Sequence, residues 1–372
     1  MAGIGVRLNK IFGRNTLTTN MIGFFYSTLV TVAPMFAIII NLVLMEYFLK
    51  FSTLGYAQRE LFSCTILYTF IFSLLTASPF NAVLSRYISD VIYEERYQDI
   101  LPCYHIGMML NIVLSCLVGI PFCLWEHFVG GVSVAYVFAG FWCYISLVFV
   151  FYSMIYLSIC KDYQRIAQYY IVGMLVAFFL SLFLRYICHW GITQSMLAAM
   201  DAGFFLTAVL ENALVKRYFR KNSNRYKPVL SYFKMYWQLV VTNFLYILGL
   251  YVHNFVFWTT DMRMVVVDSF VCNQPYDMAS CLAMFTNISA TIIFIARVEM
   301  YFHEKYKLYS EAVIGGRGAD IQNAKKRMFR QLASELMTLA RIQFIISVVI
   351  YLICIVVLPT IGISGMTMKI YP

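Results

Sequence analysis

Long apolar runs separated by short polar segments set the pattern of the chain. They fall near 22–48, 61–85, 104–125, 132–159, 166–187, 193–215, 235–258, 278–297 and 341–359. A helix rises about 1.5 Å per residue, so about 20 apolar residues cross a hydrocarbon core about 30 Å thick. The runs therefore predict an all-α polytopic membrane protein with about nine transmembrane helices. A membrane barrel would need alternating segments of about ten residues, whereas these runs are longer and apolar on every face.

The stretch from Lys227 to Phe302 shows the pattern most fully. It begins KPVLSYFKMYWQLVVTNFLYILGLYVHNFVFWTT, passes through a loop closing on NQPYD, and continues MASCLAMFTNISATIIFIARVEMYF. Two spanning lengths joined by a turn predict a membrane hairpin. Asn243, His253, Asn254 and Asn287 interrupt its apolar interior. A polar group without a partner is costly in hydrocarbon, so each needs a neighbouring helix or a water-filled cavity. The hairpin is accordingly expected to form a cavity wall.

Six runs precede the basic linker KRYFRKNSNRYKP and three follow it. The expected organisation is a six-helix bundle over 1–215, a cytoplasmic linker over 216–234 and a shorter second bundle over 235–372. A faint echo between the second and eighth runs, each starting after a Ser-Cys pair and leaving through Arg86 or Arg297, fits a parallel repeat of the kind common in transporters. Pro34 and Pro79 lie inside apolar runs and predict kinks, either as bending points or as static features of packing. Residues 300–340 are too polar to span. Ile321, Ala324, Met328, Leu332, Leu336 and Leu339 recur there at helical spacing, with Lys325, Lys326, Arg327 and Arg330 on the other side. This predicts an amphipathic helix near 319–339 on the inner membrane surface, with Asp320 as its N-cap and the preceding Gly-Gly-Arg-Gly as a turn.

Composition agrees: 61% of the residues are hydrophobic and 12% charged, against about 25% charged in an ordinary soluble domain. The first apolar run is too long for a signal-peptide core and is expected to be retained. Charge sets the orientation. With a cytoplasmic N-terminus, the inner segments carry 3, 2, 2, 7 and 9 Lys and Arg in turn and the outer ones 2, 0, 1, 1 and 1. Such a bias predicts this orientation in a cytoplasmic membrane. The net charge of +10 lies in loops between spans, which points to anionic lipid headgroups rather than nucleic acid. Most of the ten cysteines fall in or beside apolar runs and read as small core residues, while Cys123, Cys188 and Cys272 fall near the outer face and leave room for one disulfide.

Asp201, in the sixth run, is the most conspicuous intramembrane charge. It reads as a proton, cation or sugar-hydroxyl site, or as a structural acid, protonated or paired with Arg185 or His253. Glu211 and Glu46 are placed nearer the membrane faces, where they snorkel or pair. Asn41, Asn111, Asn243 and Asn287 line a hydrophilic path or act as glue between helices. His253 has no second His or Cys at helical spacing, so a zinc site is rejected. Arg86 with Asp90 and Arg297 with Glu299 end their spans at the inner face, as snorkelling pairs or as a cytoplasmic gate. Aromatic residues make up 17% of the chain, suiting either lipid-facing packing or stacking against sugar rings.

A set of ordered stretches brings a family into view. They are Met1-Ala-Gly-Ile-Gly5, Ser85-Arg-Tyr-Ile-Ser-Asp90 with Tyr93, Tyr236-Trp-Gln-Leu239, Leu248-Gly-Leu-Tyr-Val-His-Asn-Phe-Val-Phe-Trp258, Tyr276-Asp277, and Arg297-Val-Glu299 with Tyr306. In these the chain resembles the PelG family, inner-membrane transporters of the Pel exopolysaccharide system within the multidrug, oligosaccharidyl-lipid and polysaccharide exporter superfamily. The resemblance runs to about Tyr309. It implies a flippase-like transporter that carries nascent polysaccharide across the cytoplasmic membrane. A cytoplasmic glycosyltransferase and membrane-bound Pel components are the implied partners, and no cofactor is implied. In that frame Tyr276 and Asp277 stand at the external turn of the path. Such transporters usually have twelve helices in two sets of six, so about nine implies a longer protein or a short second bundle.

Two other functions compete with this one. An ion-coupled exporter of small amphipathic molecules on the same fold would use Asp201 as its coupling site. A membrane-embedded transferase would need paired His/Asp or Asp-x-Asp clusters at a membrane face, and none is found, so the chain is not expected to be an enzyme.

Overall fold

The computed structural model describes residues 17–160, 162–273 and 303–360, with positions 276, 277, 279, 280, 283, 284, 286, 290 and 294. The side chains of residues 17–32, 159, 303, 304 and 357–360 lie outside the description. The helices in order are α1 (Leu17–Phe48), α2 (Tyr56–Ala77), α3 (Asn81–Tyr93), α4 (Ile100–Phe128), α5 (Val134–Ile159), α6 (Tyr163–Tyr186), α7 (Ile192–Tyr218), α8 (Lys227–Met235) and α9 (Trp237–Phe257). A two-stranded antiparallel hairpin follows, β1 (Met264–Val266) and β2 (Phe270–Cys272), and then α10 (His303–Gly315) and α11 (Gly318–Thr360).

The protein is an all-α polytopic membrane protein. Among the described residues seven helices are long and apolar enough to cross a membrane: α2, α4 with the turn before it, α5, α6, α7, α9 and α11. The apolar part of α1, Ala33–Phe48, is shorter. Most of the eighth predicted run, 278–297, lies outside the described residues.

Two compact units divide the chain, one spanning Ala33–Asn273 and the other drawn from the residues on either side of it. At the centre of the first unit, α7 lies along both α5 and α6, while α5 also packs against α2 and α4. Lipid tails are as apolar as leucine, so helices in a bilayer associate through close packing and interhelical hydrogen bonds rather than a hydrophobic force. Both devices are present. A Cβ on Gly203 would stand 2.7 Å from the Gly173 carbonyl oxygen and 2.8 Å from the Ala177 Cβ, so α6 and α7 touch backbone to backbone. Between α4 and α5, the buried Tyr152 hydroxyl donates to the Tyr104 carbonyl at 2.8 Å, and the Tyr104 hydroxyl meets Ser153 Oγ at 2.9 Å. Gly107 makes room for Tyr152, whose hydroxyl would overlap a Cβ there.

Four sequence expectations change. The predicted run 61–85 is two helices, α2 and α3, separated by Ser78-Pro79-Phe80. Pro79 therefore breaks the helix rather than kinking it, because it supplies no N–H and crowds the preceding turn. Pro34 and Pro121, by contrast, stay inside α1 and α4. Second, the amphipathic segment and the ninth apolar run form one 43-residue helix, α11, about 65 Å long. Asp320 is not its N-cap but lies in its first turn, accepting from the Arg317 N–H at 3.3 Å, the reciprocal half of a capping box. Third, the β1–β2 hairpin occupies what reads as a plain loop. Its turn places Val267 and Asp268 at φ of 51° and 53°, where glycine or asparagine is the usual choice, so no turn signal marks it. Finally, Cys123 and Cys188 form no disulfide among the described residues.

Candidate functional site: a groove beside a helix break

The break after α2 is the local cause of the site. Where Pro79 interrupts the helix, the Leu75 carbonyl loses the N–H that position 79 would supply and accepts from the Ser78 hydroxyl at 3.4 Å. Asn243 of α9 reaches the break, donating from Nδ2 to the Ser78 carbonyl, which also accepts from the Asn81 N–H at 3.0 Å. The helices diverge around this point and leave a groove of about 640 Å³ bounded by the end of α2, the start of α3, α5 and α9. Its polar groups are Ser78, Asn81, Ser85, Ser158, Asn243 and the Tyr246 hydroxyl. The Asn81 Oδ1 atom is buried and has no hydrogen-bond partner. Amide and hydroxyl groups beside an aromatic ring are what a sugar needs, since its hydroxyls both donate and accept and its C–H face packs on apolar surface.

Below the break, α3 carries a polar latch. Arg86 Nε stands 3.4 Å from Asp90 Oδ2, and the same oxygen accepts from the Tyr232 hydroxyl of α8 at 3.2 Å. The Tyr87 and Tyr232 rings meet edge to face with centroids 4.9 Å apart. Burial, and then the Asp90 carboxylate that accepts its hydrogen, hold the Tyr232 hydroxyl above the ordinary phenol range. Burial first and Asp99 second push Tyr87 up to about 12. Both phenols therefore stay neutral at any physiological pH; Tyr232 donates to Asp90, while the buried Tyr87 hydroxyl has no hydrogen-bond partner among the described residues. Since the Arg86 side chain is 56% exposed, its ion pair contributes little by itself, and the latch rests on the rings. Arg297 and Glu299, the other half of the expected gate, lie outside the described residues, as does Asn287.

The remaining candidates are distributed otherwise. Asp201 accepts from Ser146 Oγ at 2.9 Å and ties α7 to α5. The expected partner Arg185 instead donates to the Trp190 carbonyl at 2.8 Å. Asn41 is buried, with Nδ2 3.5 Å and 3.4 Å from the sulfur atoms of Met174 and Met200, so it serves the packing of α1 on α6 and α7. His253 is half-buried and Asn254 buried on α9, away from the groove lining. Tyr276 and the buried Asp277 belong to the second compact unit. Burial, and then Asp277 beside it, raise the Tyr276 hydroxyl.

Glu211 corrects an expectation. It does not snorkel or pair but is fully buried, with neither carboxyl oxygen hydrogen-bonded. Its distance from the end of the apolar run suggested an exposed position, but tyrosines of α4 and α6, Tyr104 and Tyr170, stand around it. Glu46 is exposed, as snorkelling requires. The groove residues Ser78, Asn81 and Ser85 were not singled out from sequence. Their signal is a Ser-Pro pair followed by small polar residues inside an otherwise apolar run.

Seven membrane-length helices among the described residues define a multi-pass membrane protein. No curated protein and no solved structure matches the chain. The family model described as "PelG: Putative exopolysaccharide Exporter (EPS-E)" matches residues 1–372, and the chain belongs to that family. Membership extends over the whole sequence, beyond the stretch to Tyr309 that carries the resemblance.

Proposed function

We propose that the chain carries a nascent exopolysaccharide across the cytoplasmic membrane and that the groove beside the helix break forms part of the path. The observation that carries this reading is the groove itself, about 640 Å³, with hydroxyl and amide groups set among apolar side chains, in a protein of an exopolysaccharide exporter family. With the basic segments inside, the Arg86–Asp90–Tyr232 latch stands at the cytoplasmic end of α3, where a growing polymer enters. A cytoplasmic glycosyltransferase and further membrane-bound Pel components deliver that polymer. Transport then consists of passing the chain between two bundles, with the second supplied by the residues after the basic linker. Deletion of the gene tests this: secreted polymer disappears while cytoplasmic synthesis continues. Normal secretion from the deletion strain would end the reading.

A further inference from the structure

A second cavity, of about 250 Å³, lies between α2, α4, α5 and β2. It shares no lining residue with the groove. Its walls are aromatic: Tyr68, Phe122 and Phe270 meet one another with ring centroids 5.0–5.5 Å apart, and Phe141 and Tyr144 also line it. One carboxyl group enters this wall. Glu126, near the end of α4, is only 5% exposed, and its Oε1 has no hydrogen-bond partner. No Lys or Arg lines the cavity.

The β1–β2 hairpin holds this site in shape. The Tyr68 hydroxyl donates to the Val271 carbonyl at 2.7 Å and accepts from the Val271 N–H at 3.1 Å, which fixes β2 against α2. The hairpin turn rests on Gly130, where a Cβ would stand 2.7 Å from Ser269 Oγ and 2.8 Å from the Val267 carbonyl. Phe270 is thereby pressed into the cavity wall.

A buried carboxylate is unfavourable unless it takes up a proton or a cation completes it, and aromatic faces attract cations through their quadrupole. The two together, in an otherwise apolar space, select an organic cation over an inorganic one, because one carboxylate and a few hydroxyls are too few oxygens to replace a metal's hydration shell. We propose that this cavity binds an organic ammonium ion, with the charged head on Glu126 and the hydrocarbon body against Tyr68, Phe122 and Phe270. An apolar cavity of about 150 Å³ takes a benzene ring, so about 250 Å³ takes an arylalkylamine but not a polymer. This function is additional to export.

The test uses the full chain purified in detergent, titrated calorimetrically with 2-phenylethylammonium and with the uncharged 2-phenylethanol. The wild type binds the ammonium saturably and more tightly than the alcohol, and Glu126→Gln weakens the ammonium at least about tenfold while leaving the alcohol unchanged. Thr69→Leu fills the cavity from α2, leaves Glu126 in place and abolishes binding of both probes, which covers the case in which Glu126→Gln does not fold. Absence of ammonium binding to the wild type, equal affinity in wild type and Glu126→Gln, or equal affinity for amine and alcohol overturns the proposal. None of these measurements involves exported polymer, so their failure leaves the groove reading untouched.

Discussion

Helices α7 and α9 are both long and apolar enough to span a membrane, yet they are held in opposite ways. Half of the most apolar window of α7 is buried, between α5 and α6, whereas only 6% of the corresponding window of α9 is buried against the rest of the chain. The contact of α7 with α6 is steric, made where glycine lets two backbones meet. By contrast, α9 is attached through side chains: Asn243 on the Ser78 carbonyl, Ile247, Leu248, Tyr251 and Phe255 packed against the Ile71–Leu75 cluster, and the short extension to Trp258, whose ring stacks on Tyr68 at 4.9 Å and 4°. Phe244, Leu245, Leu250 and Val252 remain exposed on α9. A backbone contact admits one arrangement, while a few side-chain handles can be released and remade. The groove lies beside the less covered helix, where opening requires the least unpacking.

The sharpest way to break this contrast is at the α6–α7 crossing. Gly203→Leu forces the helices apart and is expected to cost about 3 kcal/mol, read as a large drop in the thermal unfolding midpoint in detergent. A small effect would show that the crossing tolerates separation and that the two helices are held alike. On the α9 side, Asn243→Leu removes the side-chain donor to the Ser78 carbonyl, which keeps the Asn81 N–H, and is expected to cost about 1 kcal/mol. A loss as large as that of Gly203→Leu would contradict the loose attachment of α9.

The hairpin offers a gain instead. Asparagine tolerates the left-handed backbone that Val267 adopts at φ 51°, so Val267→Asn is expected to raise stability by about 0.5–1 kcal/mol. The smallest effect belongs to Asp201→Asn. The amide oxygen still accepts from Ser146, so stability should change by less than about 0.5 kcal/mol. Secretion is expected to continue in that variant, whereas an ion-coupled exporter would lose proton- or sodium-driven efflux.

The membrane helices were legible because a span needs about 20 apolar residues in succession, which is a local property of the chain. The break at Pro79 was half legible: proline marks the place, but the Asn243 side chain that bonds the Ser78 carbonyl beside it comes from far along the sequence. Val267-Asp268 gave no turn signal, so the hairpin and the cavity it closes could not be read. Asp201 announced itself as a charge in an apolar run, yet its partner Ser146 lies 55 residues away and carries no pattern that points to it. Glu211 was misjudged because depth along one helix was used where cover by neighbouring helices decides burial.

The most direct test of the groove as a polymer path is secretion from a deletion strain complemented with Asn81→Leu/Ser85→Leu. Both residues line the groove on α3, and neither touches the α6–α7 crossing. Membrane abundance of the double variant is expected to match the wild type, with secreted polymer falling at least about tenfold. Undiminished secretion at equal abundance would contradict the account.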